Sequence, residues 1–368
     1  MKRRSFCDLA RLHSHRKGRI SPLSPKEGSA LAPRKPAITK VADLIREGLA
    51  DPTEAEVLDQ VAENFRIRIT PEMQGQSEGL ARQFVPSAEE LTIRPEELTD
   101  PIGDAAHSPV PGLTHRYPDR VILHATQTCE VYCRFCFRRE AVGSDGALGE
   151  DELDAAIDYI ARTPAIWEVI LTGGDPMVLS ARRLSALLNR IAAIDHVAVV
   201  RFHTRVPVVS PERVNDALIA ALRIRPAVYV VVHTNHPDEL TPEARGAFGR
   251  LADAGVPLLS QTVLLRGVNA DAETLERLFR LLVSHRVKPY YLHHCDLARG
   301  TGHFRTTIAE GEAIMSALRG RVSGVCLPTY VLDLPGGFGK VPLGARYVEG
   351  SGPFRITDYL GRTHLYSD

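Results

Sequence analysis

From Arg120 onward the sequence alternates between two hydrophobic periods, and that alternation restricts the fold more than any other feature. Short apolar runs rich in β-branched residues occur at 120–125, 167–172, 197–202, 228–233, 257–263 and 288–293, with a seventh at 329–334. Amphipathic helical patterns lie between them, at about 149–163, 180–194, 211–223, 241–255, 272–286 and 308–319. Strand then helix, repeated six times, predicts an α/β fold with a parallel sheet and helices outside it. Such a sheet either opens into a doubly wound fold or curls into a barrel, and six units fall short of the eight in a full barrel. In both topologies ligands bind at the C-terminal ends of the strands.

The loop leaving the first of these runs carries Cys129, Cys133 and Cys136, spaced C-x3-C-x2-C. Three close thiolates suit a soft metal or an iron–sulfur cluster. A structural zinc takes four ligands, usually as two pairs, and no fourth cysteine lies nearby. A cubane held by three cysteines leaves one iron open to a substrate or cofactor. Three unrelated core cysteines are the plainer alternative. The other three, Cys7, Cys295 and Cys326, are scattered, so the six do not read as a disulfide framework. A reducing compartment, the cytoplasm, is expected.

Further motifs end the later strands. Gly173-Gly174-Asp175-Pro176 follows Trp167–Thr172. Two glycines let a backbone approach a ligand closely, and the exposed carbonyls with the Asp175 carboxylate suit an ammonium group; G-G-D-P is also an ordinary β–α turn. Arg201-Phe202-His203-Thr204-Arg205 and His233-Thr234-Asn235-His236 place polar and basic groups where an anionic or nucleoside ligand would bind. After the last strand comes Asp333-Leu334-Pro335-Gly336-Gly337-Phe338-Gly339-Lys340. A Gly-rich loop delivering one lysine suits a Schiff base to pyridoxal phosphate (PLP); by itself it also reads as a surface turn.

Charge is balanced overall, which gives no support for a nucleic-acid partner. No apolar run approaches the length of a membrane span. Residues 1–36 are basic, with ten Lys/Arg and two Asp/Glu in the first 35, and read as a flexible tail with a faint likeness to an organellar transit peptide. Residues 37–115 read as an N-terminal helical region. Thr39 is placed to cap a helix from Lys40, and Asp51-Pro52-Thr53 to restart one through Val57, Val61 and Phe65. The stretch 67–119 is rich in proline and turn residues, with one short helix near Ser87–Leu91. The barrel occupies 116–346, and 347–368 reads as a short tail.

The cysteine motif after the first strand resembles that of the radical S-adenosylmethionine (SAM) enzymes. His107-Ser108-Pro109-Val110-Pro111-Gly112-Leu113-Thr114-His115-Arg116-Tyr117-Pro118-Asp119-Arg120, Cys136-Phe137-Arg138-Arg139 and the P-G-G-x-G-K loop are similar to the lysine 2,3-aminomutase family, from about residue 65 to about 346. The resemblance implies a partial (β/α)6 radical-SAM-type barrel with an N-terminal helical appendage. It implies a 4Fe–4S cluster on Cys129, Cys133 and Cys136, SAM, and PLP on Lys340. Arg116 and Tyr117 would lie near the PLP, with Arg116 or Arg120 on its phosphate. Gly173, Gly174, Asp175, His233 and Gln261 would contact SAM. Arg138 matches a carboxylate-binding arginine, and Asp296 and Asp333 match two aspartates that hold the ε-ammonium of lysine.

The implied activity moves the α-amino group of L-lysine to the β carbon by a 5′-deoxyadenosyl radical, with an electron donor such as flavodoxin or ferredoxin. The alternatives are a lysine on elongation factor P, another free amino acid, or a non-catalytic iron–sulfur redox sensor. The chain departs from the family in three places. Phe338 stands where glycine is common. His293 and His294 replace a more tyrosine-like pattern. No cysteine follows Cys326 and Asp271 stands where a barrel cysteine would be, so no structural zinc is expected and a homodimer would use other surfaces.

Overall fold

The computed structural model describes residues 35–75, 77–143 and 146–368. The basic stretch 1–36 lies outside it except for its last two residues. The unit Pro36–Asp368 begins with three short helices, α1 (Val41–Arg46), α2 (Ala55–Asn64) and α3 (Glu78–Phe84). Thr39 does not cap α1, because Lys40 holds the N-cap position and makes no side-chain cap. Asp51 does start the next turn, its carboxylate accepting from Thr53 N at 2.8 Å. α3 has no counterpart in the sequence reading, since its seven residues are too few to show a period. The short helix near Ser87 is a 3-10 turn, Ala88–Leu91, closed by a capping box between Ser87 and Glu90.

The barrel strands follow in chain order. They are β1 (Leu113–Tyr117), β2 (Arg120–Thr126), β3 (Glu168–Gly173), β4 (Val199–Thr204), β5 (Ala227–His233), β6 (Leu258–Leu264), β7 (Val287–His294), β8 (Thr329–Leu334) and β9 (Gly339–Pro342). They form one nine-stranded sheet in sequential order. β2 to β8 are parallel, and β1 and β9 add antiparallel strands at the two edges. The edges come together: the Lys340 N–H on β9 donates to Tyr117 Oη on β1 at 2.9 Å. A side chain thus spans the gap that backbone pairing leaves, and the sheet is an almost closed barrel.

Among the described residues seven helices lie in the connections: α4 (Glu150–Ala161), α5 (Ala181–Ala192), α6 (Val206–Val209), α7 (Asp216–Ala221), α8 (Pro242–Asp253), α9 (Ala272–Ser284) and α10 (Ile308–Leu318). Each long one buries a single stripe. In α5, Leu184, Leu187, Leu188 and Ile191 are buried at i, i+3, i+4 and i+7 while Arg182 and Arg183 face water. The strands carry near-continuous apolar runs because helices cover one face and cavity or core fills the other, as with Val230, Val231 and Val232. The predicted helix at 211–223 is shorter than its pattern, because Pro211 opens a separate 3-10 turn, Pro211–Arg213, and the α-helix begins only at Asp216. Asp271, at the position where the family's barrel cysteine stands, caps α9 by accepting from Thr274 N at 2.7 Å. Residues 347–368 carry a small antiparallel sheet of β10 (Val348–Glu349), β11 (Phe354–Thr357) and β12 (Thr363–Tyr366). Among the described residues no helix is long and apolar enough to cross a membrane.

Candidate active site

The C-terminal strand ends surround a cavity of about 170 Å³. Arg116, Cys133, Cys136, Arg138, His233, Gln261, Asp296, Asp333 and Lys340 all line it. Residues more than two hundred positions apart in sequence therefore meet on one wall. Two further cavities adjoin it. One holds Cys129 with Gly173, Gly174 and Asp175, and shares Cys133, Cys136, Arg138 and His233 with the first. The other runs toward the N-terminal strand ends past Tyr117, Arg120 and Arg201, and shares Arg116, Gln261 and Lys340. Lys340 stands between the first and third spaces. Its loop is a turn at the surface, with Phe338 82 % exposed, but the lysine side chain lines both cavities.

The cysteine loop is strapped down by the N-terminal segment. Tyr132 N donates to Arg68 O at 3.0 Å and Arg134 N to Gln83 O at 2.8 Å. Arg134, 2 % exposed, donates from Nε to Glu90 Oε1 at 2.9 Å and from Nη2 to Oε2 at 2.6 Å, and Arg139 also pairs with Glu90. Nothing in the sequence pattern marks Glu90 as the fully buried counter-ion of two loop arginines. On the barrel side, Arg205 donates from Nη1 to Cys133 Sγ at 2.8 Å and pairs with Glu239.

The three thiols are free and share one cavity. Burial pushes Cys129 well above the usual thiol range and Cys136 up to about 11. Among the described residues no three His, Cys, Asp or Glu side chains are already grouped for a metal ion. The thiols line a common wall instead of a closed cage, and their soft, all-sulfur donor set is what fits an iron–sulfur cluster.

The G-G-D-P turn works differently from its sequence reading. Gly173 has φ +112°, and a Cβ there would lie 2.5 Å from Thr126 O; at Gly174 it would lie 2.3 Å from Thr128 O. The glycines are required by the cysteine loop packed on them, ahead of any ligand. The Asp175 carboxylate is also spent inside the protein. Oδ1 accepts from Met177 N at 3.0 Å and Thr204 Oγ1 at 2.7 Å, and Oδ2 from Arg205 N at 2.7 Å and Val206 N at 3.2 Å. Both oxygens are filled. Gly173 and Gly174 still line the cavity of the three thiols, so what the turn presents there is backbone.

Near the thiols, the His203 and His233 rings meet edge to face with centroids 5.5 Å apart. Burial, and the nearby cations Arg201 and Arg205 respectively, hold His203 well below the usual imidazole range and His233 down to about 3. Both rings are neutral, and Nε2 of each is buried without a partner among the described residues. Two orphaned ring nitrogens beside a cavity fit a polar ligand of nucleoside type.

At the other end of the cavity Lys340 Nζ donates to Asp333 Oδ1 at 2.6 Å, and His293 Nδ1 lies 3.2 Å from Asp333 Oδ2. Burial alone would raise the Asp333 carboxyl, but His293 and Lys340 hold it well below the usual carboxylate range. Asp296 has the opposite fate: burial, with Asp333 nearby, pushes it up to about 7. Arg138 and Arg116 both pair with Asp104, a residue the motifs did not single out. Arg120 pairs with Asp119 and stacks 3.8 Å over the Tyr117 ring. It lines the third space and not the first. The arginines and tyrosines of that third space fit a phosphate and an aromatic ring, as PLP requires.

Residues 123–281 match the Radical SAM superfamily. The L-lysine 2,3-aminomutase of Fusobacterium nucleatum subsp. nucleatum is 42% identical over 326 residues, 87% of this chain and 75% of that protein. The L-lysine 2,3-aminomutase of Clostridium subterminale is 43% identical over 302 residues, 80% of this chain and 73% of that one. The chain belongs to the lysine 2,3-aminomutase family. It is therefore an enzyme, an isomerase of the radical SAM type. The family is not uniform in substrate: glutamate 2,3-aminomutase of Clostridioides difficile is 37% identical over 314 residues, 83% of this chain and 73% of its own.

Proposed function

We propose that the protein is an L-lysine 2,3-aminomutase, moving the α-amino group of free L-lysine to the β carbon. One observation carries the choice of substrate. Arg138, Asp296 and Asp333 line the same cavity as Lys340. A guanidinium for a carboxylate, and two carboxylates for a second ammonium, select an amino acid with a cationic side chain. A side-chain carboxylate, as in glutamate, would meet Asp296 and Asp333 as like charges.

The cofactors are a 4Fe–4S cluster, SAM and PLP. When bound they supply the one-electron cleavage that makes a 5′-deoxyadenosyl radical, and the π-system that stabilises the rearranging substrate. The chain's own residues hold and orient. Cys129, Cys133 and Cys136 hold the cluster, with Arg205 donating to the Cys133 sulfur. The Gly173 and Gly174 carbonyls, His233 and Gln261 hold SAM. Lys340 bonds PLP, while Arg116, Arg120 and Tyr117 surround its phosphate and ring. Arg138 takes the substrate carboxylate. Asp333 and Asp296 take its ε-ammonium, which favours the ionised form of Asp296. The apolar walls formed by Ile122, Ile170 and Val263 keep water from the radical. The electron comes from a flavodoxin- or ferredoxin-type donor in the cytoplasm.

Anaerobic incubation of reconstituted protein with L-lysine, SAM, PLP and dithionite tests this reading. Formation of β-lysine is expected. SAM cleaved to deoxyadenosine without β-lysine would reject free lysine, and glutamate, arginine and elongation factor P would then be tried in turn.

A further inference from the structure

Arg116 and Arg138 share a carboxylate that lines no part of the cavity. Asp104 Oδ1 lies 3.0 Å from Arg116 Nη2. Asp104 Oδ2 takes Arg138 Nε at 2.9 Å and Nη2 at 2.8 Å. Both arginine side chains are nearly buried, and two cations on one cavity wall repel each other unless a negative charge lies between them.

The geometry also sets direction. A guanidinium has five N–H donors in a fixed plane. Asp104 Oδ2 accepts from Nε of Arg138 and lies 2.8 Å from Nη2, and the Phe137 ring lies 4.5 Å from the central carbon of the guanidinium. Asp104 takes no donor on Nη1, which is left for a ligand in the cavity that Arg138 lines.

Asp104 is itself fixed from two sides. Its N–H and that of Ala105 donate to the Asp100 carboxylate, each at 2.9 Å. Gly103 before it has φ +66°, and a Cβ there would lie 2.5 Å from the Gly336 carbonyl carbon and 2.6 Å from Gly337 N. The turn bearing Asp104 is thus pressed against the loop that ends in Lys340.

We propose that Asp104 is a positioning residue for the carboxylate end of the substrate. It holds the Arg138 guanidinium in the plane that receives the carboxylate and ties that plane, through Arg116 and Gly103, to the loop of Lys340. An unheld arginine loses rotamer freedom each time a ligand binds; Asp104 has already removed that freedom. The inference rests on Arg138 as the carboxylate anchor.

The test is calorimetric titration of the oxidised holoenzyme, which cannot turn over, with L-lysine and with cadaverine, the same diamine without the carboxylate. Asp104→Asn keeps the shape and removes the charge. It is expected to weaken L-lysine binding about tenfold and to change cadaverine binding by no more than about twofold. In turnover, KM for L-lysine should rise by more than kcat falls. Asp104→Glu keeps the charge and should recover part of the loss. If the amide variant does not load its cofactors, the Glu variant carries the same comparison: a loss confined to L-lysine supports the role. Equal weakening of both ligands, or unchanged L-lysine affinity, would overturn it. Arg138→Lys is titrated beside it. If that variant binds L-lysine as the wild type does, the anchor reading itself is wrong. If it weakens L-lysine while Asp104→Asn does not, only the role of Asp104 falls.

Discussion

Lys340 Nζ lies 2.6 Å from one oxygen of Asp333, and His293 Nδ1 lies 3.2 Å from the other. One carboxylate therefore meets both the lysine proposed to bond PLP and a buried imidazole. Replacing Lys340 by Ala should abolish β-lysine formation while leaving iron and sulfide content unchanged, because Lys340 does not line the cavity that all three thiols share. A redox sensor would keep its function in that variant. Iron assay beside product analysis separates the two.

Asp296 sets the expected pH dependence. Its carboxyl is raised to about 7, so it is protonated below that pH in the empty site. An ammonium binds the ionised form. Affinity for L-lysine should therefore be weak near pH 6 and should strengthen as pH rises through about 7, read as a fall in KM. Asp333, held low, stays ionised across this range and adds no inflection. In Asp296→Asn the inflection near 7 should disappear and KM should be high throughout.

Gly174 tests the packing of the cysteine loop. A Cβ at this position would lie 2.3 Å from Thr128 O and 2.7 Å from the Gln127 carbonyl carbon. These are backbone atoms and cannot swing aside. Gly174→Ala should cost about 1–3 kcal/mol of stability and should lower iron incorporation on reconstitution. Denaturant titration and the visible absorbance of the cluster measure the two effects separately.

Glu90 is fully buried between Arg134 and Arg139. Removing one partner of a buried ion pair leaves charge without compensation and costs about 3–5 kcal/mol. Glu90→Ala should lose at least that much, measured by urea unfolding. Cluster loading should fall with it, since the two arginines flank Cys136.

Much of the fold was legible in the sequence because it depends on short periods. Strand runs of six to eight residues and helix stripes at 3.6 per turn show in any local window. The seven parallel strands and the helices between them follow those periods closely, apart from the proline-broken segment at 211–223. The cysteine spacing and the single lysine after P-G-G-F-G are equally local, and they mark three candidate ligands and one candidate reactive amine without any knowledge of the fold. Residues 347–368 gave no comparable signal. Their strands are two to four residues long, too short to show a period.

Tertiary structure alone decided which side chains face the ligand and which hold the frame. Asp175 sits in the motif that sequence assigns to SAM, yet Thr204, Arg205 and Val206, about thirty residues on, fill its carboxylate together with Met177. Asp104 belongs to no motif, yet it holds Arg138, 34 residues away. Glu90 is a helix-cap residue by local pattern and the counter-ion of the cysteine loop by packing. The physical reason is common to all three. Local periodicity reports which face of an element is apolar, but a buried charge is assigned its partner only when distant segments close around it and remove the water that would otherwise serve.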